Sequence, residues 1–161
     1  MAVIESATEF IHALSAEELP VITGRWIGEC KQLIEECGGN INKFLGDGFF
    51  ACWREGEKTV LSVGRVLETL KRLQGEAKPC FRIVVHHGQV FESGGMAEGQ
   101  ESLLGTPVNF VFQMEKLAGA LGESCLLSEE ANRHLLSTLP AWEIGRHSLT
   151  GFEGQFLFYK F

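Results

Sequence analysis

Residues 38–53, GGNINKFLGDGFFACW, place an aspartate, Asp47, four residues after a lysine, Lys43. Aromatic and branched residues on both sides of Gly-Asp-Gly predict two strands joined by a tight turn. A carboxylate at the tip of such a hairpin is exposed and partly surrounded by backbone donors, which raises the question of whether Asp47 belongs to a metal and nucleotide site. The alternative is an aspartate that only forms the turn, because Asp-Gly is itself a preferred hairpin pair.

Two other polar segments give weaker indications of chemistry. His86 and His87 follow a strand-like segment, but no third ligand is spaced to join them in a metal site. The glycines of GGMAEG, residues 94–99, are not followed by a lysine or threonine, and no helix opens directly behind them. They therefore do not form a phosphate-binding loop.

The hydrophobic pattern predicts the elements that hold these residues. AVIES at the start is expected to form a brief strand. Apolar residues recur every three or four positions between residues 22 and 37, which predicts a helix that glycines at 38 and 39 end. Ser15 and Glu18 fit a capping box at its start, and Pro20 is expected to separate a short turn from the longer helix.

Further along the chain, a second helix is expected from about residue 60 to 75, followed by a buried strand in CFRIVVHHGQVF. Residues 92–102 are polar and glycine-rich, as in a loop or hairpin arm. A third helix is expected to start at Thr106 and Pro107, before a strand (SCLLS), a helix (SEEANRHLL) and two closing strands. The order of elements predicts an α+β domain with helices packed over a mixed sheet.

Composition limits the classes of function. The chain has 161 residues, enough for one domain, and we expect a single domain over residues 1–161. Its net charge of −7 argues against binding to nucleic acid or anionic lipid. Five cysteines without a paired spacing indicate reduced core thiols. No apolar run is long enough for a membrane span or a signal peptide, so we expect a cytoplasmic protein without membrane insertion.

Several of these stretches together resemble the class III nucleotidyl cyclases, the catalytic domain of adenylyl and guanylyl cyclases. GGNINKFLGDGFFACW resembles the family's GG-x-x-x-K-F-x-GD-x-x-x-A-x-F hairpin, and FRIVVHHGQVFESGG resembles its R-x-G-I-H-x-G-x-V strand and arm. LLGTPVNFVFQMEKLA, LLSEEANRHL and LTGFEGQFLFYKF are similar to the family's later helices and closing hairpin. The resemblance implies a ferredoxin-like βαββαβ core sheet with helices over it and a C-terminal hairpin. An unrelated ferredoxin-like regulatory domain is the alternative.

The resemblance also implies an activity. Members of the family close ATP or GTP into a cyclic monophosphate by attack of the ribose 3′-hydroxyl on the α-phosphate, with two Mg²⁺ or Mn²⁺ ions held by two aspartates. An asparagine and an arginine from the partner protomer orient the ribose and stabilise the transition state. The sites therefore lie in a head-to-tail dimer.

The metal positions match the family only in part. Asp47 matches the second metal aspartate. The first metal aspartate falls at Ser6, and a hydroxyl is a weak magnesium ligand beside a carboxylate. Glu5 is a poor substitute, because a slip of one residue along a strand turns the side chain to the opposite face. The chain starts only five residues before Ser6, so we expect an abbreviated first strand or a fragment boundary at Met1.

The positions for the nucleotide also match only in part. Asn109 matches the ribose-orienting asparagine, but the arginine expected four residues later is Gln113, which brings no charge. Lys43 and Ser102 match the pair that selects the base, and they favour ATP weakly, although Lys43 also fits a plain lysine on a solvated strand face. In LTGFEG, residues 149–154, no lysine is left to bind phosphate.

We therefore expect a cyclase homology domain that is catalytically silent or strongly impaired. It would act in cyclic-nucleotide signalling as a dimerising, nucleotide-sensing or regulatory module, either as a homodimer or with another cyclase domain. The alternative is an adenylyl cyclase of low activity, or one half of a heterodimer whose partner supplies the missing groups. The base, the attached domains and the input signal are left open by the sequence.

Overall fold

A computed structural model describes residues 1–76, 79–93 and 102–161. Within those ranges the elements are β1 (Ala2–Ile4), α1 (Ala7–Ala13), α2 (Glu18–Glu36), β2 (Asn40–Leu45), β3 (Gly48–Cys52), α3 (Thr59–Glu76), β4 (Phe81–Val85), β5 (Phe91–Ser93), β6 (Ser102–Leu104), α4 (Thr106–Leu121), β7 (Cys125–Ser128), α5 (Glu129–Leu135), β8 (Trp142–His147) and β9 (Phe156–Lys160). Seven strands belong to a mixed sheet, whereas β5 and β6 form a separate ribbon. The predicted α+β class is confirmed.

The chain divides into two compact units. The N-terminal unit is Ala2–Phe81, and the C-terminal unit is Arg82–Phe161 together with Met1. Sheet strands of the N-terminal unit run in the order β2-β3-β1, and both neighbouring pairs are antiparallel. In the C-terminal unit the order is β4-β7-β9-β8, in which only β4 and β7 are parallel. A parallel pair requires a crossover connection, and α4 lies in that connection.

An aromatic cluster centres the core of the N-terminal unit. The indole of Trp26, on α2, lies 5.7 Å from the ring of Phe49 and 5.2 Å from that of Phe81. Trp26 is 2% exposed. Further buried apolar residues come from each element around this cluster: Cys30, Ile34, Phe50, Val66, Leu67 and Leu70. Since each aromatic side chain buries a large apolar area, this cluster stabilises the unit.

The start of α2 confirms the predicted capping box. The Ser15 amide donates to Glu18 Oε2 at 3.0 Å, and the Glu18 amide donates to Ser15 Oγ at 3.2 Å. The prediction for Pro20 was wrong, because Pro20 lies inside the first turn of α2. Residues there have no intrahelical acceptor for an N–H, so proline is tolerated. Helix α1 was not predicted, and none of its side chains is buried.

The C-terminal unit is packed around α4 and β7. Its buried apolar residues lie on the sheet strands and on the helices that cover them: Ile83, Val84, Phe110, Val111, Met114, Ala118, Leu126, Leu127, Leu135 and Phe158. Arg82 of β4 donates from Nε at 3.2 Å and from Nη2 at 2.9 Å to Glu115 Oε1 of α4. Both side chains are about four-fifths buried, at 20% and 19% exposure, so this ion pair fixes α4 against β4.

Two other sequence predictions are refined by the structure. The glycine-rich segment 92–102 is flanked by a two-stranded ribbon in which Phe91 pairs with Leu104, and residues 94–101 lie outside the described ranges. Thr106 is expected from the sequence to be the N-cap of α4 and Pro107 its first helical residue. In the structure α4 begins one residue earlier, with Gly105 as the N-cap and Thr106 as the first helical residue. Pro107 lies in the first turn, as expected.

All five cysteines are free thiols. Cys30 and Cys125 are buried, and burial raises the pKa of the Cys30 thiol to about 12. Cys80 is exposed, so the prediction of core thiols does not hold for that residue. None of the helices in the described residues has the length and apolar character needed to cross a membrane.

Gly48 marks a close approach of β1 to β3, which gives a test of the N-terminal unit. A Cβ at Gly48 would overlap the carbonyl oxygen of Ala2 and lie 2.8 Å from Cα of Val3. We expect Gly48→Ala to lower the free energy of unfolding by about 2 to 4 kcal/mol, because both neighbours are backbone atoms that must move. Urea denaturation measures the change.

Gly46→Ala is the matched control for this prediction. A Cβ at Gly46 meets nothing within 4 Å, and its backbone does not have a positive φ. The stability of Gly46→Ala is therefore expected to stay within about 0.5 kcal/mol of the unsubstituted protein. Equal stability of the two alanine variants would contradict the close approach at Gly48.

Candidate functional site

Asp47 lies in the two-residue turn between β2 and β3. Leu45 pairs with Gly48, so the turn residues are Gly46 and Asp47, and Gly48 already belongs to β3. Neither turn residue has a positive φ, so the turn is not the type that makes Asp-Gly a preferred hairpin pair. The side chain of Asp47 is half-exposed. The alternative reading of Asp47 as the aspartate of an Asp-Gly turn is therefore weakened.

The hairpin tip is tied to the end of β1. The amide of Ile4 donates to the backbone carbonyl of Asp47 at 2.8 Å. Ser6 follows two residues later, which is a span of roughly 7 Å at most. The structure thus brings Ser6 and Asp47, the two predicted metal positions, to one corner of the N-terminal unit.

Ser6 has an unusual backbone conformation. Its φ of 48° and ψ of 45° are left-handed, and no other non-glycine residue in the described ranges has a positive φ. This conformation costs a serine about 1 to 2 kcal/mol, whereas aspartate and asparagine adopt it more readily. The side chain is exposed and makes no capping hydrogen bond to α1. An aspartate would therefore fit the backbone at this position with less strain than serine.

The residues of this corner do not fit a two-metal site. Asp47 offers one carboxylate, and Ser6 offers a hydroxyl, which is a weak ligand for a hard dication. Across the described residues, no three or more side chains of His, Cys, Asp or Glu are grouped so that they could hold a metal ion. A single carboxylate does not offset the repulsion between two dications about 4 Å apart.

Lys43 lies on β2 opposite Phe50, next to a register shift between Ile41 and Lys43. Its side chain is exposed. A bulge re-aims the side chains on either side of it, which is why bulges are frequent beside binding sites. Both predicted alternatives for Lys43, a base-selecting lysine and a solvated strand lysine, remain predictions.

The C-terminal unit holds a pocket that the sequence had indicated only in pieces. Asn109 and Gln113 lie one turn apart on α4, and the loop between β8 and β9 faces them. The pocket has a volume of about 460 Å³ and is lined by Thr106, Asn109, Gln113, Thr150, Gly151, Phe152 and Glu153. The structure therefore brings together the predicted ribose positions on α4 and the loop in which the family binds phosphate.

Aromatic packing fixes the loop side of this pocket. The Phe110 ring meets Phe152 and Phe156 edge to face, with centroids 5.1 Å away in both cases. The ring centroids of Phe152 and Phe156 are 6.1 Å apart, and the two ring planes make an angle of 88°. Because α4 is anchored by the Arg82–Glu115 ion pair, both walls of the pocket are held by interactions that need no ligand.

The pocket lining is polar but carries no positive charge. None of its seven residues, all within the described ranges, is lysine or arginine, and Glu153 is acidic. Sequence reasoning missed Thr106 and Glu153 as lining residues. The available signal for Glu153 was its place in the TGFEG loop, where the family has its phosphate-binding lysine. Electrostatics of this kind disfavour a polyanion and favour hydroxyl or amide donors.

Ser102 lies in β6, where it pairs with Ser93 of β5. Its predicted role beside the base concerns its side chain, which is outside what the structure describes. That role therefore stays a prediction.

His86 lies beside the pocket, behind Phe110. Its Nδ1 is 2.8 Å from Oγ of Ser128, and its ring lies 4.5 Å from that of Phe110. Ser128 Oγ also accepts the amide of Ala131 at the start of α5. Burial lowers the pKa of His86 below 6.5, against the opposing effect of Glu130, while His87 lowers it further. The neutral, hydrogen-bonded His86 ring therefore has a structural role in the packing of Phe110 and Ser128.

No protein-family model matches the chain, and no curated protein is similar to it in sequence. Solved structures are similar. The adenylyl cyclase CyaB from P. aeruginosa has a TM-score of 0.76 and 22% identity, over 99% of this chain and 89% of that one. The guanylate cyclase domain of RhGC from Catenaria anguillulae, in complex with GTP, has a TM-score of 0.82 and 13% identity, over 98% and 91%.

The chain has the class III nucleotidyl cyclase fold. A bacterial light-regulated adenylyl cyclase is similar as well, with a TM-score of 0.76 and 20% identity, and this chain spans about half of that protein, 49%. The cyclase fold predicted from the sequence motifs is thus confirmed. Because one fold hosts many functions, activity must be argued from the residues of the site.

The buried state of His86 predicts a pH dependence of stability. The pKa of His86 is lower in the folded than in the unfolded chain, so the unfolded chain binds the proton first as pH falls. The part of the unfolding free energy that depends on a neutral His86 is therefore fully present above about pH 6.5 and decreases as the pH falls below that value. We expect His86→Asn to show a smaller loss of unfolding free energy between about pH 7 and pH 5 than the unsubstituted protein.

Urea denaturation at several pH values measures this difference. His12→Asn removes an exposed histidine and serves as the matched control. An identical pH slope in His86→Asn and the unsubstituted protein would contradict the assignment of a buried neutral His86.

Proposed function

We propose that this chain is a cyclase-fold domain without significant cyclase activity, which acts as a dimerising and ligand-sensing regulatory module in cyclic-nucleotide signalling. One observation carries the proposal. The described lining of the pocket formed by α4 and the β8–β9 loop has no lysine or arginine, and its charged residue is Glu153. The motif match predicts the family's arginine at Gln113 and its phosphate-binding lysine at Thr150.

Charge neutralisation is the main requirement of the reaction. In phosphoryl-transfer sites, metal ions and basic side chains neutralise the charge that develops on the phosphates. Gln113 can donate a hydrogen bond from this pocket but supplies no charge. The loss of one preorganised charged donor costs about 3 to 4 kcal/mol, or roughly 10²- to 10³-fold in rate. The absence of a carboxylate at Ser6 and of a lysine at Thr150 enlarges this deficit, by less than the sum of the separate effects.

Cyclase activity is the second candidate function, and the corner at Ser6 and Asp47 favours it. The hydrogen bond from the Ile4 amide to the Asp47 carbonyl holds the hairpin tip near Ser6, which supports Asp47 as the one carboxylate left at the predicted metal positions. In this alternative the chain is a low-activity adenylyl cyclase using Mg²⁺ or Mn²⁺, or one half of a heterodimer. Its partner would supply the missing carboxylate or cation.

The proposed dimer is supported by the ribbon of β5 and β6. The cross-strand pair Phe91 and Leu104 is 63% and 56% exposed, which is unusual for two large apolar side chains side by side. We propose that a second cyclase-fold domain covers the ribbon in a head-to-tail dimer. The five free thiols support a reducing, cytoplasmic location.

Restoring the two missing groups tests the catalytic part of the proposal. We expect the unsubstituted chain to form no cyclic AMP or cyclic GMP above background with Mn²⁺. Ser6→Asp with Gln113→Arg should give measurable product from ATP, about 10²- to 10³-fold above either single variant. Chromatography of the nucleotide products measures the rates. Turnover by the unsubstituted chain at about 1 s⁻¹ or faster would contradict the silent domain.

Mixing the single variants tests the head-to-tail dimer separately. In a mixed dimer, one site receives the aspartate from the Ser6→Asp protomer and the arginine from the Gln113→Arg protomer. We expect an equal mixture to be active while each variant alone is not. An active double variant together with an inactive mixture would contradict the dimer, because the two groups would then act within one chain.

A further inference from the structure

Strand β8 is an outer strand in the sheet of the C-terminal unit. Among the described residues it pairs with β9 alone, so its other edge presents a row of backbone N–H and C=O groups without a neighbouring strand. Trp142, the first residue of β8, is 59% exposed, which is a large exposure for a tryptophan. An open edge of this kind is a template for pairing with another chain.

A bulge in β8 places two opposite charges on the same face of the sheet. Glu143 pairs with Tyr159 of β9, and Arg146 pairs with Leu157. Because Tyr159 and Leu157 are two residues apart, their side chains point to the same face, and so do those of Glu143 and Arg146. In a regular strand, residues three apart would point to opposite faces, but the register shift between Glu143 and Gly145 removes that difference.

Both charged side chains of this face are available to a partner. Glu143 and Arg146 are exposed, and neither takes part in an ion pair within the residues that the structure describes. Arg146 donates from Nη1 to the carbonyl of Gln155 at 3.5 Å, a long hydrogen bond that leaves most of its N–H donors available. A strand added at this edge can therefore pair with both charges.

We propose that β8 pairs with β8 of a second copy of this chain, antiparallel and around a two-fold axis at Gly145. Gly145 lies opposite Phe158, midway along β9 between the residues that pair with Glu143 and Arg146. A two-fold axis at Gly145 thus puts Glu143 of each copy opposite Arg146 of the other. The symmetry forms this opposite-charge pair twice, and each cross-strand pair of this kind stabilises the pairing.

The same axis brings an exposed aromatic side chain into contact on the other face of the sheet. Trp142 pairs with Lys160, and His147 pairs with Phe156, so both lie two residues of β9 away from the axis. Trp142 of each copy therefore lies opposite His147 of the other. Covering the exposed indole buries apolar area that is in contact with water in the single chain.

The signs of the two charges favour a second copy over an unrelated strand. Edge strands that are protected against pairing carry charges that repel an added strand. Opposite charges at equal distances from Gly145 instead attract a copy of the same strand in antiparallel orientation. This surface lies on β8 and not on the ribbon of β5 and β6, so the inference goes beyond the proposed function and does not depend on it.

Charge reversal tests the pairing in a full chain that carries Phe91→Ser and Leu104→Ser, which removes the apolar pair of the ribbon. Sedimentation velocity measures the dissociation constant of the dimer, and we expect this ribbon variant to dimerise as its concentration rises. Adding Glu143→Arg or Arg146→Glu should weaken the dimer about tenfold, because each change places like charges opposite one another twice. Thermal melting confirms that the variants are folded.

An equal mixture of the two charge-reversal variants tests the register of the pairing. In the mixed dimer, the arginine introduced at position 143 faces the glutamate introduced at position 146, and the native Arg146 of one copy faces the native Glu143 of the other. We expect the mixture to recover most of the lost affinity. Glu143→Arg with Arg146→Glu in one chain should recover it as well, since both opposite-charge pairs are then restored.

Glu55→Arg and Lys58→Glu are the matched controls. They change the net charge by the same amounts at exposed positions before α3, and they should leave the dimer unchanged. A ribbon variant that stays monomeric at millimolar concentration would overturn the inference without affecting the head-to-tail dimer of the proposed function. A dimer that neither reversal weakens, or a mixture no tighter than the single variants, would overturn it too.

Discussion

The close approach of β1 to β3 at Gly48 is the constraint on which the N-terminal unit depends. Only a residue without a Cβ lets the backbone of Ala2 and Val3 pass so near, and the hydrogen bond from Ile4 to Asp47 follows from that distance. The same contact fixes the corner in which a metal site would be built. The position of Asp47 beside β1 is thus set by backbone packing, whereas any chemistry at this corner would depend on side chains that can change without disturbing the fold.

The same separation between scaffold and chemistry holds in the C-terminal unit. The Arg82–Glu115 ion pair anchors α4, and the ring of Phe110 positions the β8–β9 loop through Phe152. Neither interaction involves a residue that would bind a phosphate. An uncharged glutamine at position 113 therefore leaves the pocket walls in place, because those walls do not depend on a charge there.

Patterns that are local in the sequence predicted local structure well. The capping box of Ser15 and Glu18, the hairpin around Asp47 and the helix that carries Asn109 each depend on residues within a few positions of one another. Helix α1 was missed because it buries no side chain and so shows no apolar face. The contribution of Glu153 was missed for a different reason, since it meets α4 only through the fold, across some forty residues of chain.

The left-handed backbone at Ser6 is a local conformation that depends on contacts made through the fold. A serine has no intrinsic reason to adopt φ 48°, and its side chain makes no capping hydrogen bond that offsets the strain. Ser6 makes the turn from β1 into α1: the backbone amide of Glu5 donates to the carbonyl of Cys80 at 2.9 Å just before it, and α1 begins just after it at Ala7. The motif match predicts the family's first metal aspartate at Ser6, and an aspartate adopts this left-handed backbone more readily than a serine does.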